Sequence, residues 1–200
     1  MARPRQVSDG EILRTARACF LEHGPGVAIS VVAERLGVSQ PTLFKRFGTK
    51  EELMLAALAP PREPPWLALL ARGPGKGPFR AQLRELFVAV AAYFESMAPC
   101  MMMLRASGID VKKVFARYET PPPVVAQRAL RRWLDAACAQ GSIGPCDTDA
   151  LATLILGALH VRPTLAHVMG GKAFGGAGTD YLEGMLTVLW RGLAPGDARR

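Results

Sequence analysis

The segment "VSQPTLFKRFGTKEEL", residues 38–53, leaves few folds open to this chain. A serine in capping position opens a helical stretch of barely two turns, with Pro41 in its first turn, where a missing N–H costs nothing. Gly48 ends the stretch, and Thr49-x-x-Glu52 has the spacing of a capping box that starts a new helix at once, to about residue 58. So short a helix needs an apolar back laid against neighbours. Leu43 and Phe47, four apart, supply it, with Phe44 beside them. Gln40, Pro41, Thr42 and Lys45 point the opposite way, and Arg46 lies at the edge.

Two helices precede it. Ser8-Asp9-Gly10-Glu11 is another capping box, followed by Ile12, Leu13, Ala16, Cys19 and Phe20 at helical spacing, and "HGPG" at 23–26 stops the run. A second short helix spans about 30–36, burying Val32, Ala33 and Leu36, with Gly37 as its stop. Two short helices joined through Gly37-Val38-Ser39 form a helix-turn-helix, which sets its last helix in the major groove of DNA. Base edges come within reach of few side chains, so two turns suffice. Gln40 can offer donor and acceptor to adenine, Lys45 can donate to guanine, and Pro41 with the Thr42 methyl can meet a thymine methyl. The start of the fourth helix, with Lys50 in its first turn, suits a phosphate. Glu51 and Glu52 favour the helix start but repel DNA unless they face away.

Beyond residue 59 the chain changes character. Residues 60–78, "PPREPPWLALLARGPGKGP", hold six prolines and three glycines and read as a connector with one helical turn at 66–71. Helical patterns follow at about 79–97, a Met-rich stretch at 100–106, 111–119 and 124–140. Asp147 caps a further helix, which Pro163 is expected to kink or split near Leu159, and a last helix covers about 179–193. There is no strand signal. The reading is all-α: a helix-turn-helix domain at 1–59 and a helical domain at 60–200.

Composition constrains the partner weakly. With 25 Lys and Arg against 17 Asp and Glu the net charge is +8, of which residues 1–60 hold only +2 (eight basic, six acidic). That favours a polyanion mildly, and the placement of charges carries more weight. No uninterrupted apolar run reaches the ~18 residues of a membrane span, and the basic N-terminus lacks the apolar core of a secretion signal, so a cytoplasmic protein is expected. The four cysteines (19, 100, 138 and 146) form no C-x-x-C pair and read as small core residues. Nothing calls for a cofactor or metal: His160 and His167 lie seven apart, with no third ligand in view.

"ILRTARACFLEHG" and "VVAERLGVSQPTLFKRFGTKEEL", with their three-helix spacing, resemble the TetR family of bacterial transcriptional regulators over about residues 8–58. The resemblance implies an all-helical homodimer whose later residues bind a small effector and dimerise through the last two long helices. By position it places Ser30, Gln40, Pro41, Thr42 and Lys45 against DNA, and Phe44 and Lys50 at phosphate-contacting positions. Phe44 stands where many members carry tyrosine, so a hydroxyl contact is missing. Adding Ser39 and Arg46, the candidate DNA-binding residues are Ser30, Ser39, Gln40, Pro41, Thr42, Phe44, Lys45, Arg46 and Lys50. Basic Arg3 and Arg5 are candidates for a minor-groove arm.

An effector pocket is assigned to Phe94, Met97, Met101, Met102, Trp133, His160 and His167, on the adaptability of methionine and the cluster of aromatic and histidine side chains. The expected function is a sequence-specific regulator, a repressor released from a palindromic operator in double-stranded DNA by a small apolar molecule. The Gly/Pro connector and Pro163 would be its hinges. Two alternatives stand beside it. One is an enzyme domain fused to a DNA-binding head, which requires a nucleophile–base pair or paired carboxylates. The other is a ligand-independent DNA-binding or interaction protein.

Overall fold

In a computed structural model, residues 7–170 and 178–193 are described, and every regular element among them is a helix. Arg3, Arg5 and most of the Gly-rich segment after residue 170 fall outside the described residues. The order is α1 (Asp9–His23), α2 (Ile29–Leu36), α3 (Gln40–Phe47), α4 (Lys50–Leu58), α5 (Leu67–Leu70), α6 (Phe79–Ala106), α7 (Val111–Phe115), α8 (Pro122–Ala139), α9 (Thr148–Met169) and α10 (Gly178–Leu193).

Both expected capping boxes form. The Glu11 amide donates to Ser8 Oγ (3.3 Å) while the Ser8 amide donates to Glu11 Oε2 (3.0 Å). At α4 the Glu52 amide donates to Thr49 Oγ1 (3.1 Å) and the Thr49 amide to Glu52 Oε2 (2.9 Å). Each box satisfies two amides that a helix start would leave unpaired. Asp147 likewise accepts from the amides of Asp149 and Ala150, both at 3.0 Å.

Two prolines leave the helices that contain them unsplit. α6 runs unbroken through Pro99, so the helix expected at 79–97 and the Met-rich stretch at 100–106 are one element. An internal proline removes one i→i−4 bond; here the carbonyl it frees belongs to Glu95, an exposed residue that water can serve, while Met97, Cys100 and Leu104 keep a buried ridge across the interruption. α9 likewise runs past Pro163 to Met169, and the Thr164 hydroxyl adds a bond to the His160 carbonyl at 2.9 Å. Both helices are long and apolar enough, by length and composition, to cross a membrane, although charged residues interrupt each of them. α7 is shorter than its 111–119 expectation and ends at Phe115.

The chain divides into two compact units: one takes in residues up to Pro60 together with Met97–Glu119, the other Pro61–Ser96 and the chain from Thr120 on. Residues after 60 are therefore shared between the units. In the first unit α1 packs against α2 and α4, and α3 against α2 and α4. Its core holds Ile12, Cys19, Phe20, Val32, Leu43, Leu53 and Leu58 from these helices, and Cys100, Leu104 and Val114 from the later segment. Each such large apolar side chain contributes about 1.5–3 kcal/mol on burial. In the second unit α8 lies along α9 and α5 packs on α8, around Trp66, Leu83, Phe87, Leu130, Leu134 and Ile155. Phe79 stacks on Trp133 there, ring centroids 4.6 Å apart.

Candidate nucleic-acid interface

The two-turn helix of the opening segment is α3, and its seating follows from side-chain size and spacing. Leu43 is 1% exposed and is the one fully buried side chain of the helix; Phe47 is half-buried behind it. Gly37 ends α2 in the left-handed conformation (φ 67°, ψ 33°), its amide and that of Val38 both reaching the Ala33 carbonyl. That tight turn is what brings the front of α3 outward. Gly48 ends α3 at φ 74°, and a Cβ built there would collide with the Glu52 carboxylate, which is held in the capping box.

On the front, Gln40, Pro41 and Lys45 are exposed and Thr42 is half-buried. Gln40 and Lys45 make no hydrogen bond or ion pair among the described residues, so their polar groups are free for a ligand. Phe44 is 42% exposed, a large ring left in water beside them. Lys50 is half-buried in the first turn of α4, where the helix dipole and the free amides add to its charge.

Several residues sit otherwise than the sequence led one to expect. Ser39 occupies the N-cap position of α3, yet its hydroxyl pairs with Thr42 Oγ1 at 2.9 Å and caps no amide. α2 starts at Ile29 rather than about residue 30, with Ala28 as an N-cap without a side-chain bond, and Ser30 is half-buried at its second position. Arg46 turns its guanidinium to the start of α1, donating to the Val7 carbonyl (2.5 Å) and Asp9 Oδ1 (3.1 Å). Its position at the edge of the helix makes that tether possible, and it draws the charge towards the protein.

The acidic residues of α4 are both occupied. Glu52 closes the capping box, and Glu51 lies 3.5 Å from Lys113 Nζ on α7. Lys113 is sixty-two residues away in the chain, and no local signal marks it as a neighbour. Arg35 on α2 donates to Glu22 on α1 at 2.9 Å, which lowers the Glu22 carboxyl below its ordinary range and raises Arg35, through the hydrogen bond first and charge second. Fully in solvent, that pair contributes little to stability.

The proposed pocket residues divide between the units. Met97, Met101 and Met102 belong to the first; Phe94, Trp133, His160 and His167 to the second. Among these residues the structure brings Phe94 and His160 together, ring centroids 4.9 Å apart and edge to face. His160 is exposed as a residue, and partial burial of its imidazole lowers its pKa below the ordinary 6.5. Trp133 is core, stacked on Phe79, and His167 is exposed. No group of three or more His, Cys, Asp or Glu able to hold a metal occurs among the described residues.

Residues 12–57 match the family model described as bacterial regulatory proteins, tetR family. Over these residues the chain carries the DNA-binding domain of the TetR family. It is 28% identical over 159 residues to an uncharacterised HTH-type transcriptional regulator of Mycobacterium bovis, covering 78% of this chain and 80% of that one. It is 47% identical over 47 residues to the HTH-type transcriptional repressor AcnR of Corynebacterium efficiens, 23% of this chain and 25% of the other. A putative TetR-family regulator from Mesorhizobium loti shares the fold, with a TM-score of 0.70 at 18% identity over 93% of this chain and 96% of its own. The chain is thus a DNA-binding transcriptional regulator with an N-terminal helix-turn-helix.

Proposed function

We propose that this TetR-family chain is a cytoplasmic homodimeric repressor that holds a palindromic operator through α3 and leaves it when a small apolar molecule binds the helical region beyond residue 60. The observation that carries the DNA contact is the unpartnered polar front of α3, with Gln40, Pro41 and Lys45 exposed beside a buried Leu43. Gln40, Pro41, Thr42 and Lys45 read bases. Ser30, Ser39, Phe44 and Lys50 meet the backbone, and Arg46, tethered to α1, adds its charge at the rim.

Dimerisation is supported by an apolar stripe that the single chain leaves in water. On α9, Leu154, Val161 and Val168 follow one another at heptad spacing with Leu165 beside them, and Val188 of α10 is 73% exposed. A stripe of this kind on two adjacent long helices suits a twofold interface. Such a dimer would present two copies of α3 roughly 34–36 Å apart, one turn of DNA. Repression follows the sense of the AcnR relative's name. Release requires that the effector bind the two arrangements unequally.

Selection of bound duplexes from a random pool tests the reading. The expected product is an inverted repeat bound at about 10⁻⁸–10⁻¹¹ M, weakening steeply with salt. Lys45→Ala should change the preference at one base pair by about 1–3 kcal/mol. An even loss across all sequences would remove Lys45 from base reading, and a pool without any repeat would remove the operator.

A further inference from the structure

The four cysteines of this chain do not share one environment. Cys19 and Cys100 are buried in the first unit, as small core residues should be. Cys138, in the last turn of α8, is half-buried, and Cys146, in the loop ahead of α9, is exposed. Their sulfurs lie 4.0 Å apart, and Cys138 Sγ also approaches the Gly144 carbonyl at 3.7 Å.

The intervening turn is fixed rather than loose. The Gly141 amide donates to the Cys138 carbonyl (3.0 Å), Ser142 to Ala137 (2.9 Å) and Gly144 to Leu193 of α10 (2.8 Å), while Ile143 is buried at 1% exposure. The two thiols are therefore held in contact by the backbone. A disulfide needs the sulfurs at about 2.05 Å, a closure of roughly 2 Å that thiol rotation and a small shift of an exposed loop residue can supply.

We propose that Cys138 and Cys146 are a dithiol site that closes into a reversible disulfide, stapling the end of α8 to the start of α9. The oxidant is a low-molecular-weight disulfide. The Cys146 thiolate attacks one of its sulfurs, forming a mixed disulfide and expelling one thiolate, which takes up the proton Cys146 lost. Cys138, deprotonated in turn, attacks the Cys146 sulfur and expels the second small thiol. Two protein thiols are oxidised and one small disulfide is reduced to two thiols.

The surroundings set the rate. Partial desolvation, Cys138, Asp147 at the α9 cap and Asp135 on α8 push the Cys146 pKa up to about 11. Asp135 in turn accepts from the Thr148 hydroxyl (2.5 Å) and lies 3.9 Å from Arg131. Thiolate is scarce at neutral pH, so closure is slow there and quickens about tenfold per pH unit below that pKa. A thiol of high pKa is also a poor leaving group, so the closed bond resists reduction. This inference does not depend on the repressor reading.

The test treats the reduced full chain with oxidised glutathione at about pH 8.5, without denaturant. Two thiols should disappear, the mass should fall by two hydrogens with no glutathione retained, and one digest product should link residues 138 and 146. Cys138→Ser should instead keep one glutathione on Cys146, and Cys146→Ser should lose no thiol on the same timescale. Closing a loop of this size should raise the midpoint of thermal unfolding by about 5–10 °C, an increase that dithiothreitol abolishes. A lasting glutathione adduct on the parent chain, a link to Cys19 or Cys100, or an unchanged or lowered midpoint overturns the proposal.

Discussion

Leu43→Ala isolates what holds the DNA-facing helix in place. α3 has eight residues, and a helix that short is not stable by itself in water. Its one fully buried side chain is Leu43, so docking rests chiefly on that contact, with half-buried Phe47 in support. Alanine is the best helix former, so the substitution leaves intrinsic helicity intact and removes only packing. Truncating a buried leucine costs about 2–5 kcal/mol, the spread reflecting how far the site can collapse. Lys45→Ala, one turn-face away, removes an exposed side chain without a partner and should change stability by no more than about 0.5 kcal/mol. The two variants should therefore part company: both weaken duplex binding, and only Leu43→Ala lowers the urea midpoint followed by circular dichroism. Fluorescence anisotropy on the selected duplex gives the binding half of the comparison. If Leu43→Ala unfolds within about 1 kcal/mol of the parent, the helix does not depend on that seat. If Lys45→Ala is as destabilising as Leu43→Ala, Lys45 is not a free front residue.

Arg46 and Asp9 should show a coupling of about 0.2–1 kcal/mol in a double-mutant cycle on stability, since the pair is partly exposed; a coupling of zero would mean that the guanidinium spends its time elsewhere. The His160 pKa is lower in the folded chain than its ordinary 6.5, so the folded state binds fewer protons and stability should fall as pH drops through 6.5 towards the depressed value. His160→Gln should flatten that part of the stability profile, and an unaltered profile would show that the ring is solvated. Val161→Asp or Leu154→Glu, on the exposed stripe of α9, should leave the chain folded and convert the proposed dimer to monomer in light scattering after gel filtration; a persistent dimer would place the interface elsewhere.

Much of this molecule is legible from local chemistry. Ser8, Thr49 and Asp147 cap the helices their spacing assigns, because capping involves residues two or three apart and leaves its mark in a few letters. The helix-turn-helix is equally local, as Gly37, Leu43 and Gly48 act within one or two turns. Local spacing stops short where distant residues intervene. Pro99 and Pro163 carry the signature of a break, yet Met97, Cys100 and Leu104 hold a buried ridge across the first, and the helix continues past the second to Met169. The Arg46 tether needs Val7 and Asp9, and the neutralisation of Glu51 needs Lys113, partners that no spacing rule predicts. Ser39 bonds Thr42 instead of an amide because two hydroxyls three apart compete with the backbone for each other. The pocket assignment drew on residue type and local spacing, and its members fall in both units. The cysteine pair was hidden for the same reason, since eight residues separate it in the chain and a turn closes the gap in space.

Gly37 and Gly48 look interchangeable on paper, each ending a short helix with positive φ, but they should answer differently to replacement. Nothing lies within 4 Å of a Cβ built at Gly37, and its dihedrals are those asparagine tolerates. At Gly48 any side chain must first evict Glu52 from its bond with Thr49, so the damage would spread to the start of the following helix. A saturation library scored for operator binding should accordingly recover several residue types at position 37 and an almost empty column at 48, making the second glycine the stricter letter of the motif.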